Sequence, residues 1–198
     1  MFITVEGGEG SGKTTLIANL ANHLKAEGKK VLVTREPGGT GFGESIRDVL
    51  LDPDLPFAFG PRAEMLLFLA ARVQHMEEVI QPALDEGYIV ICDRFNDSTI
   101  AYQGGGRQLG IDQVERLCEE ACQGFHPDHT FFLDISPEKA FKRLERSKDR
   151  LEKESLEFHS RVKDAFHVLK NKHPERIHVI NADQSPENVL NDVIKILK

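Results

Sequence analysis

The chain has 198 residues, with 32 acidic against 25 basic side chains and a formal net charge of −7. That balance speaks against a nucleic-acid polymer as partner and confines any cationic site to a local cluster, which suits a small phosphate-bearing ligand. At 40% hydrophobic and 29% charged residues the chain is an ordinary globular one, sized for a single domain over residues 1–198, and no apolar run approaches the roughly 20 residues of a membrane span.

Residues 2–6 are a short β-prone run that stops at Gly7-Gly8-Glu9-Gly10-Ser11-Gly12-Lys13-Thr14-Thr15. Leu16, Ile17, Leu20, Ala21 and Leu24 then recur at helical spacing. The G-x-x-x-x-G-K-T pattern therefore sits between a strand and a helix, where its mechanism needs it. Glycines let the backbone form a nest of inward N–H groups, and the helix adds its positive end. Lys13 is placed to reach the β/γ-phosphates and the Thr14 hydroxyl to ligate Mg²⁺. A nucleoside triphosphate is the implied ligand.

The helix is expected over 13–27, ending at Gly28, with a second buried strand over 30–34. Arg35-Glu36-Pro37-Gly38-Gly39-Thr40-Gly41 follows that strand's carboxyl end. Open α/β sheets bind ligands there, although a plain turn has the same composition. Residues 44–51 form a helix carrying Arg47, and residues 52–61 a proline-rich connector. A long helix over 62–86 carries Phe68 and Arg72 as an i, i+4 pair. Two readings stay open for this pair: core and solvent, or an aromatic plate beside a planar donor suited to a nucleobase.

A third strand over 88–92 ends at Asp93-Arg94-Phe95. The carboxylate and guanidinium there are either a structural ion pair or a Mg²⁺ and phosphate contact level with the glycine loop. Ser98, Thr99, Tyr102, Gln103, Gly104–Gly106 and Arg107 are expected to form a helix turn lining a pocket. Residues 111–123 read as an amphipathic helix and 126–129 as a loop whose histidines face solvent. A fourth strand covers 130–134, and Ser136-Pro137 opens a helix. The mixed-charge run 138–154 is either a solvated helix or two helices around a cationic lid. A helix around Phe158, Val162, Phe166 and Leu169, a fifth strand over 177–180 and a closing helix over 186–197 complete the chain. Cys92, Cys118 and Cys122 follow neither disulfide nor zinc spacing, so burial as small apolar residues in a reducing, cytoplasmic setting is expected. The chain runs straight into its first strand, and no leader peptide is expected.

Four motifs, in order, give the chain its resemblance to the bacterial thymidylate kinase family, from Phe2 to the last helix. They are GGEGSGKTT, TREPGGT at 34–40, DRFNDSTIAYQGGGR at 93–107 and the lid-like SKDRLEKE at 147–154. The resemblance implies an open, five-stranded parallel α/β sheet with helices on both faces, a homodimer, and transfer of the ATP γ-phosphate to dTMP with Mg²⁺. It implies that Glu9 meets the acceptor sugar, that Phe68 stacks on thymine and that Arg72 bonds the base edge. Arg94, with Arg35 and Arg47, would hold the acceptor phosphate. Pro37, Ser98, Thr99 and Gln103 fall in the acceptor pocket, and Tyr102 where a ring crowds the 2′ position. Lid cations are expected from Arg150, flanked and oriented by Asp149 and Glu152, and from Arg146. Asp93 and Glu152 join Thr14 as metal candidates. Phe95 and Phe166 depart from the family's common aromatics, and the lid-like segment is a couple of residues short. A GTPase switch would carry an Asn-Lys-x-Asp motif, which this chain lacks. Another monophosphate kinase, or an ATPase without an acceptor, are the other rivals.

Overall fold

The computed structural model describes residues 1–143 and 149–198. β1 (Phe2–Glu6), β2 (Val31–Arg35), β3 (Ile89–Asp93), β4 (His129–Asp134) and β5 (Ile177–Asn181) form one five-stranded parallel sheet in the order β2-β3-β1-β4-β5. β1 lies in the middle, and all of its residues are buried. The period-2 alternation of its side chains divides the core. Ile3 and Val5 join Phe131 and Leu133 under α1 (Lys13–Ala26) and α9 (Pro186–Leu197). Phe2 packs with Val90, Cys92 and Phe95 on the other face. That face also carries α3 (Pro61–His75), α6 (Ile111–Ala121) and α8 (Leu156–Lys172), whose apolar sides gather around Phe132.

Helix starts follow local chemistry. Thr40 caps α2 (Gly41–Leu51), Ser136 caps α7 (Pro137–Phe141), and Ser155 and Ser185 cap α8 and α9. Each cap satisfies an otherwise orphaned N–H and is worth about 1 kcal/mol. α1 differs: Gly12 precedes it at φ 99° with no side-chain cap. Its first N–H groups are left for an anion.

Several elements depart from expectation. β2 is not a buried strand but the edge of the sheet, paired only with β3, and Val33 is exposed. The helix expected over 62–86 is interrupted after His75 by a π-helical turn (Met76–Ile80) before α4 (Gln81–Asp85). Pro82 has no N–H and would crowd the preceding turn of a regular helix, so the wider turn absorbs it. The helix turn expected after β3 is longer than a single turn: α5 (Asn96–Thr99) leads into a π-helical segment (Ile100–Gly106) packed against α8. His129 belongs to β4 and stacks on Phe131 and pairs with His178, rather than lying in a solvent-facing loop. The charged run is not one helix, since α7 stops at Phe141.

Polar groups beneath the second face are paired. Thr4 and Thr130 share a hydroxyl hydrogen bond of 2.8 Å, and Thr130 donates to Asp97 at 3.1 Å. Arg176 grips both oxygens of Asp97 at 2.7 and 2.9 Å. This pair lies under α5 and holds the segment that carries Ser98 and Thr99 against the sheet.

Candidate active site

The loop between β1 and α1 borders a cleft of about 590 Å³, lined by Glu9–Thr15 together with Asp93, Arg143, Ala182 and Gln184. Lys13 Nζ donates to the carbonyls of Gly7 and Gly8 at 3.2 and 3.1 Å. An arriving phosphate would exchange for these carbonyls. Arg143 was hidden in the mixed-charge run, where nothing distinguished it. Here its Nη1 donates to Ala182 O at 3.2 Å, which fixes a second cation at the cleft.

Beside this cleft lies a more enclosed cavity of about 260 Å³. Glu9, Arg35, Pro37, Arg47, Phe68, Arg72, Arg94, Ser98, Thr99, Tyr102 and Gln103 all line it, so the structure brings together every residue that the resemblance put in the acceptor pocket. Asp149, Leu151 and Glu152 form part of the wall. Glu9, Thr14 and Asp93 line both spaces and mark where they join.

The cations of this cavity are anchored. Arg94 donates through Nη1 to Ser98 Oγ at 3.0 Å and through Nη2 to Glu9 and Tyr102, with its guanidinium 5.1 Å from the Tyr102 ring centroid. Its backbone sits at φ 73°, an unfavourable region for a side chain of this size. Glu6 holds that conformation. Its Oε1 accepts the Phe95 N–H at 2.7 Å, and its Oε2 accepts the Ser98 hydroxyl at 2.5 Å. Burial, reinforced by nearby Asp97, pushes the Glu6 carboxyl up to about 8. Burial also raises Tyr102 to about 12, so its hydroxyl keeps its proton at neutral pH. Arg35 pairs with Glu44 at 2.8 Å, and Arg47 donates to Pro37 O at 2.8 Å. Burial and then the neighbouring Arg35 charge lower the Arg47 pKa. Arg72 is 2% exposed, held by Glu36 at 2.6 Å and Thr99 at 3.0 Å.

Glu6, Glu36 and Glu64 carried no role in the sequence reading. Glu6 did leave a signal, as an acid closing an otherwise uncharged strand. Glu64 is buried and accepts Gln103 Nε2 at 2.9 Å and both Nε and Nη2 of Arg107 at 3.1 Å. Burial alone would raise its pKa, but the Arg107 and Gln103 hydrogen bonds outweigh that and lower it.

Arg150 is expected to close over the ATP phosphates once both substrates are bound. Its guanidinium does not stand at the glycine loop: Nη1 pairs with Glu64 at 2.7 Å and Nε donates to Leu50 O at 2.8 Å. Nor do Asp149 and Glu152 orient it. Each carboxylate of that pair accepts the other's backbone N–H at 2.9 Å, a local clasp that closes the turn on itself. Glu152 lies in the wall of the smaller cavity and does not line the glycine-loop cleft, whereas Asp93 and Thr14 line both. Arg146, and the lid-like segment's Ser147 and Lys148, lie outside the described residues.

Among oxygen donors, Asp93 Oδ1 is buried and takes no hydrogen bond from the described residues. With the Thr14 hydroxyl across the same junction it offers hard ligands that fit Mg²⁺.

A parallel α/β sheet with a glycine loop at the end of its central strand, and a cationic cavity opening onto that loop, defines a phosphate-loop nucleotide-binding protein with a second ligand pocket. The family described as Thymidylate kinase matches residues 5–193. The chain is 48% identical over 206 aligned positions to a thymidylate kinase of Protochlamydia amoebophila, covering 100% of this chain and 92% of that one. It is 50% identical over 196 positions to one from Exiguobacterium sp., covering 98% and 92%. The crystal structure of thymidylate kinase from Ehrlichia chaffeensis superposes with a TM-score of 0.81 at 38% identity, covering 100% of this chain and 97% of that one. The chain belongs to the thymidylate kinase family.

The Glu6 environment has a pH signature. A carboxyl raised in the folded state favours folding most below its unfolded value and loses that contribution as pH rises through its folded value. The stability of wild type minus that of Glu6→Gln is expected to fall from about pH 4.5 to about pH 8, by up to about 1.4 kcal/mol per pH unit. Urea midpoints across that range check it, and a flat difference would place Glu6 in an ordinary solvated setting.

Arg150→Ala leaves Glu64 with one arginine fewer. The folded protein is expected to lose about 1.5–3 kcal/mol, the worth of a hydrogen bond to a charged group. A denaturation curve superimposable on wild type, with kcat lowered by orders of magnitude, would instead mean that the guanidinium works away from Glu64.

Proposed function

We propose that this chain transfers the γ-phosphate of ATP to dTMP, giving ADP and dTDP for dTTP biosynthesis. The single observation that carries this reading is the junction of the two spaces at Glu9, Thr14 and Asp93. A donor in the glycine-loop cleft and an acceptor in the smaller cavity would meet there. ATP fits the first, with its phosphates on the loop N–H groups and Lys13. The nucleoside monophosphate fits the second, with its phosphate at Arg94, supported by Arg35 and Arg47.

The chemistry is positioning and charge neutralisation, because the phosphoryl group spreads its charge over peripheral oxygens in the transition state. Arg94 orients the acceptor phosphate, and its anchoring by Ser98, Glu9 and Tyr102 gives it one direction of approach. No general base is required, since the attacking phosphate oxygen already carries negative charge. Thr14 and Asp93 would hold Mg²⁺, which would supply further neutralisation of the ATP phosphate oxygens. Glu9 meets the sugar and Phe68 stacks on the base. Tyr102, kept protonated, crowds the 2′ position. Arg72 donates to the thymine O4 oxygen, and Thr99 and Gln103 complete the base contacts. Arg150 would have to leave Glu64 to join the phosphates. The three cysteines are buried free thiols, in keeping with a reducing cytoplasm.

The homodimer reading centres on α2 and α3, which pack side by side. Phe42 and Val49, two turns apart on α2, and Leu66 on α3 are exposed apolar residues. A second copy of the chain is the occupant we assign to that surface.

Coupled ADP-release measurements across a panel of monophosphates should show dTMP preferred over dCMP, UMP and purine monophosphates. ADP release at the same rate with no acceptor would favour a plain ATPase. Arg94→Ala is expected to lower kcat/KM for dTMP roughly 10²–10³-fold while the fold survives. A folded variant with near wild-type kcat/KM would remove Arg94 from the phosphate site. Sedimentation should give twice the 22.2 kDa chain mass, and Leu66→Asp should shift it to a single chain. A wild-type mass of one chain would end the dimer reading.

A further inference from the structure

Glu36 is 4% exposed, yet it lies on the wall of the acceptor cavity. Its Oε2 accepts Arg72 Nε at 2.6 Å, and its Oε1 meets His75 Nδ1 at 3.0 Å. The other ring nitrogen of His75 meets Thr34 Oγ1 at 2.7 Å. The carboxylate is thus gripped between β2 and α3 and has little room to turn. The loop that follows is closed onto the same ring: a Cβ added at Gly39 would stand 2.5 Å from the His75 imidazole. On the far side, the Arg72 guanidinium lies 5.1 Å from the Phe95 ring centroid.

We infer that Glu36 is a positioning residue that sets base selectivity by fixing which edge of Arg72 faces the acceptor. This rests on the acceptor reading above. An arginine has five N–H donors in a rigid fork and no acceptor. Here Nε is taken by Glu36 and one Nη1 donor by Thr99, while Nη2 takes no hydrogen bond from the described residues. The edge left for a ligand is therefore donor-only. It satisfies a pyrimidine that presents a carbonyl oxygen and opposes one that presents an amino group, whose buried donor would go unpaired. That discrimination holds only while the fork stays put. An arginine side chain has many rotamers, and a loose one would turn aside for the wrong base. Glu36 removes that freedom, and His75 and Thr34 remove it from Glu36.

The test compares dTMP with dCMP as acceptors for the full chain and for Glu36→Gln, Arg72→Met and the double variant, each checked for folding by circular dichroism. Glu36→Gln is expected to raise KM for dTMP and to shrink the dTMP-to-dCMP ratio of kcat/KM by about tenfold, with kcat at saturating dTMP within about threefold of wild type. Adding Glu36→Gln to Arg72→Met should leave the ratio unchanged, because no guanidinium remains to be steered. If Arg72→Met collapses the ratio and a folded Glu36→Gln keeps it, the positioning role is overturned while the Arg72 reading stands. If Arg72→Met itself keeps the ratio, the base reading fails and this inference with it. Should Glu36→Gln not fold, His75→Gln loosens Glu36 without removing its charge. It should shrink the ratio in the same direction, and an unchanged ratio in folded His75→Gln overturns the proposal.

Discussion

Two polyanions must meet in this site, so its cations have to be charged, oriented and partly stripped of water before either ligand arrives. The chain meets that demand by giving most of the arginines a carboxylate on the protein side. Arg94 has Glu9, Arg72 has Glu36 and Arg35 has Glu44. A buried arginine left without such a partner would cost several kcal/mol, whereas a paired one keeps its charge and gains a fixed direction. The carboxylates thus do more than offset burial. They leave the guanidinium donors on the cavity side unspent.

Register puts these pairs where they are needed. Parallel pairing sets Val5 opposite Asp93 and Arg35 opposite Asp93, so β1, β2 and β3 end level with one another. Glu6, Arg35, Glu36, Asp93 and Arg94 therefore gather at one end of the sheet. A slip of one residue in β3 would turn Asp93 to the opposite face and dismantle both spaces at once. The long-range pair of Asp97 with Arg176, beneath α5, secures the same end of the sheet from below.

Stability is given up locally for this arrangement. Arg94 holds a left-handed backbone, and Glu6 is a carboxyl buried beside another acid. Such features survive only where surrounding structure over-determines them, and here the Phe95 N–H and the Ser98 hydroxyl do so. The strain sits at Arg94 on the wall of the smaller cavity, and the raised carboxyl lies directly behind Ser98 of that wall, which is where a rule of local structure is expected to be broken.

The glycine loop was legible in the sequence because its chemistry is contiguous: a nest, a lysine and a helix start follow one another along a dozen residues. The alternation of strands and helices was legible for the same reason, since each period is local. The π-helical turn before Pro82 had a local cause too, although a uniform apolar pattern concealed it. The cavity residues Phe68, Arg72, Arg94 and Tyr102 could be singled out by resemblance, but their partners could not. Glu6 reaches Phe95 across 89 residues, and Glu36 reaches Arg72 and His75 across 36 and 39. Sequence showed the charged run but not that Arg143 lines the glycine-loop cleft while Arg150 turns to Glu64. The edge position of β2 was equally invisible, because strand order depends on which strand inserts beside β1. By itself the sequence determined a phosphate-binding loop at the start of a parallel α/β fold, and its resemblance to a family named the side chains that line the cavity beside that loop. Only the tertiary structure decided which acid holds which arginine, because that choice is made by packing between segments far apart in the chain.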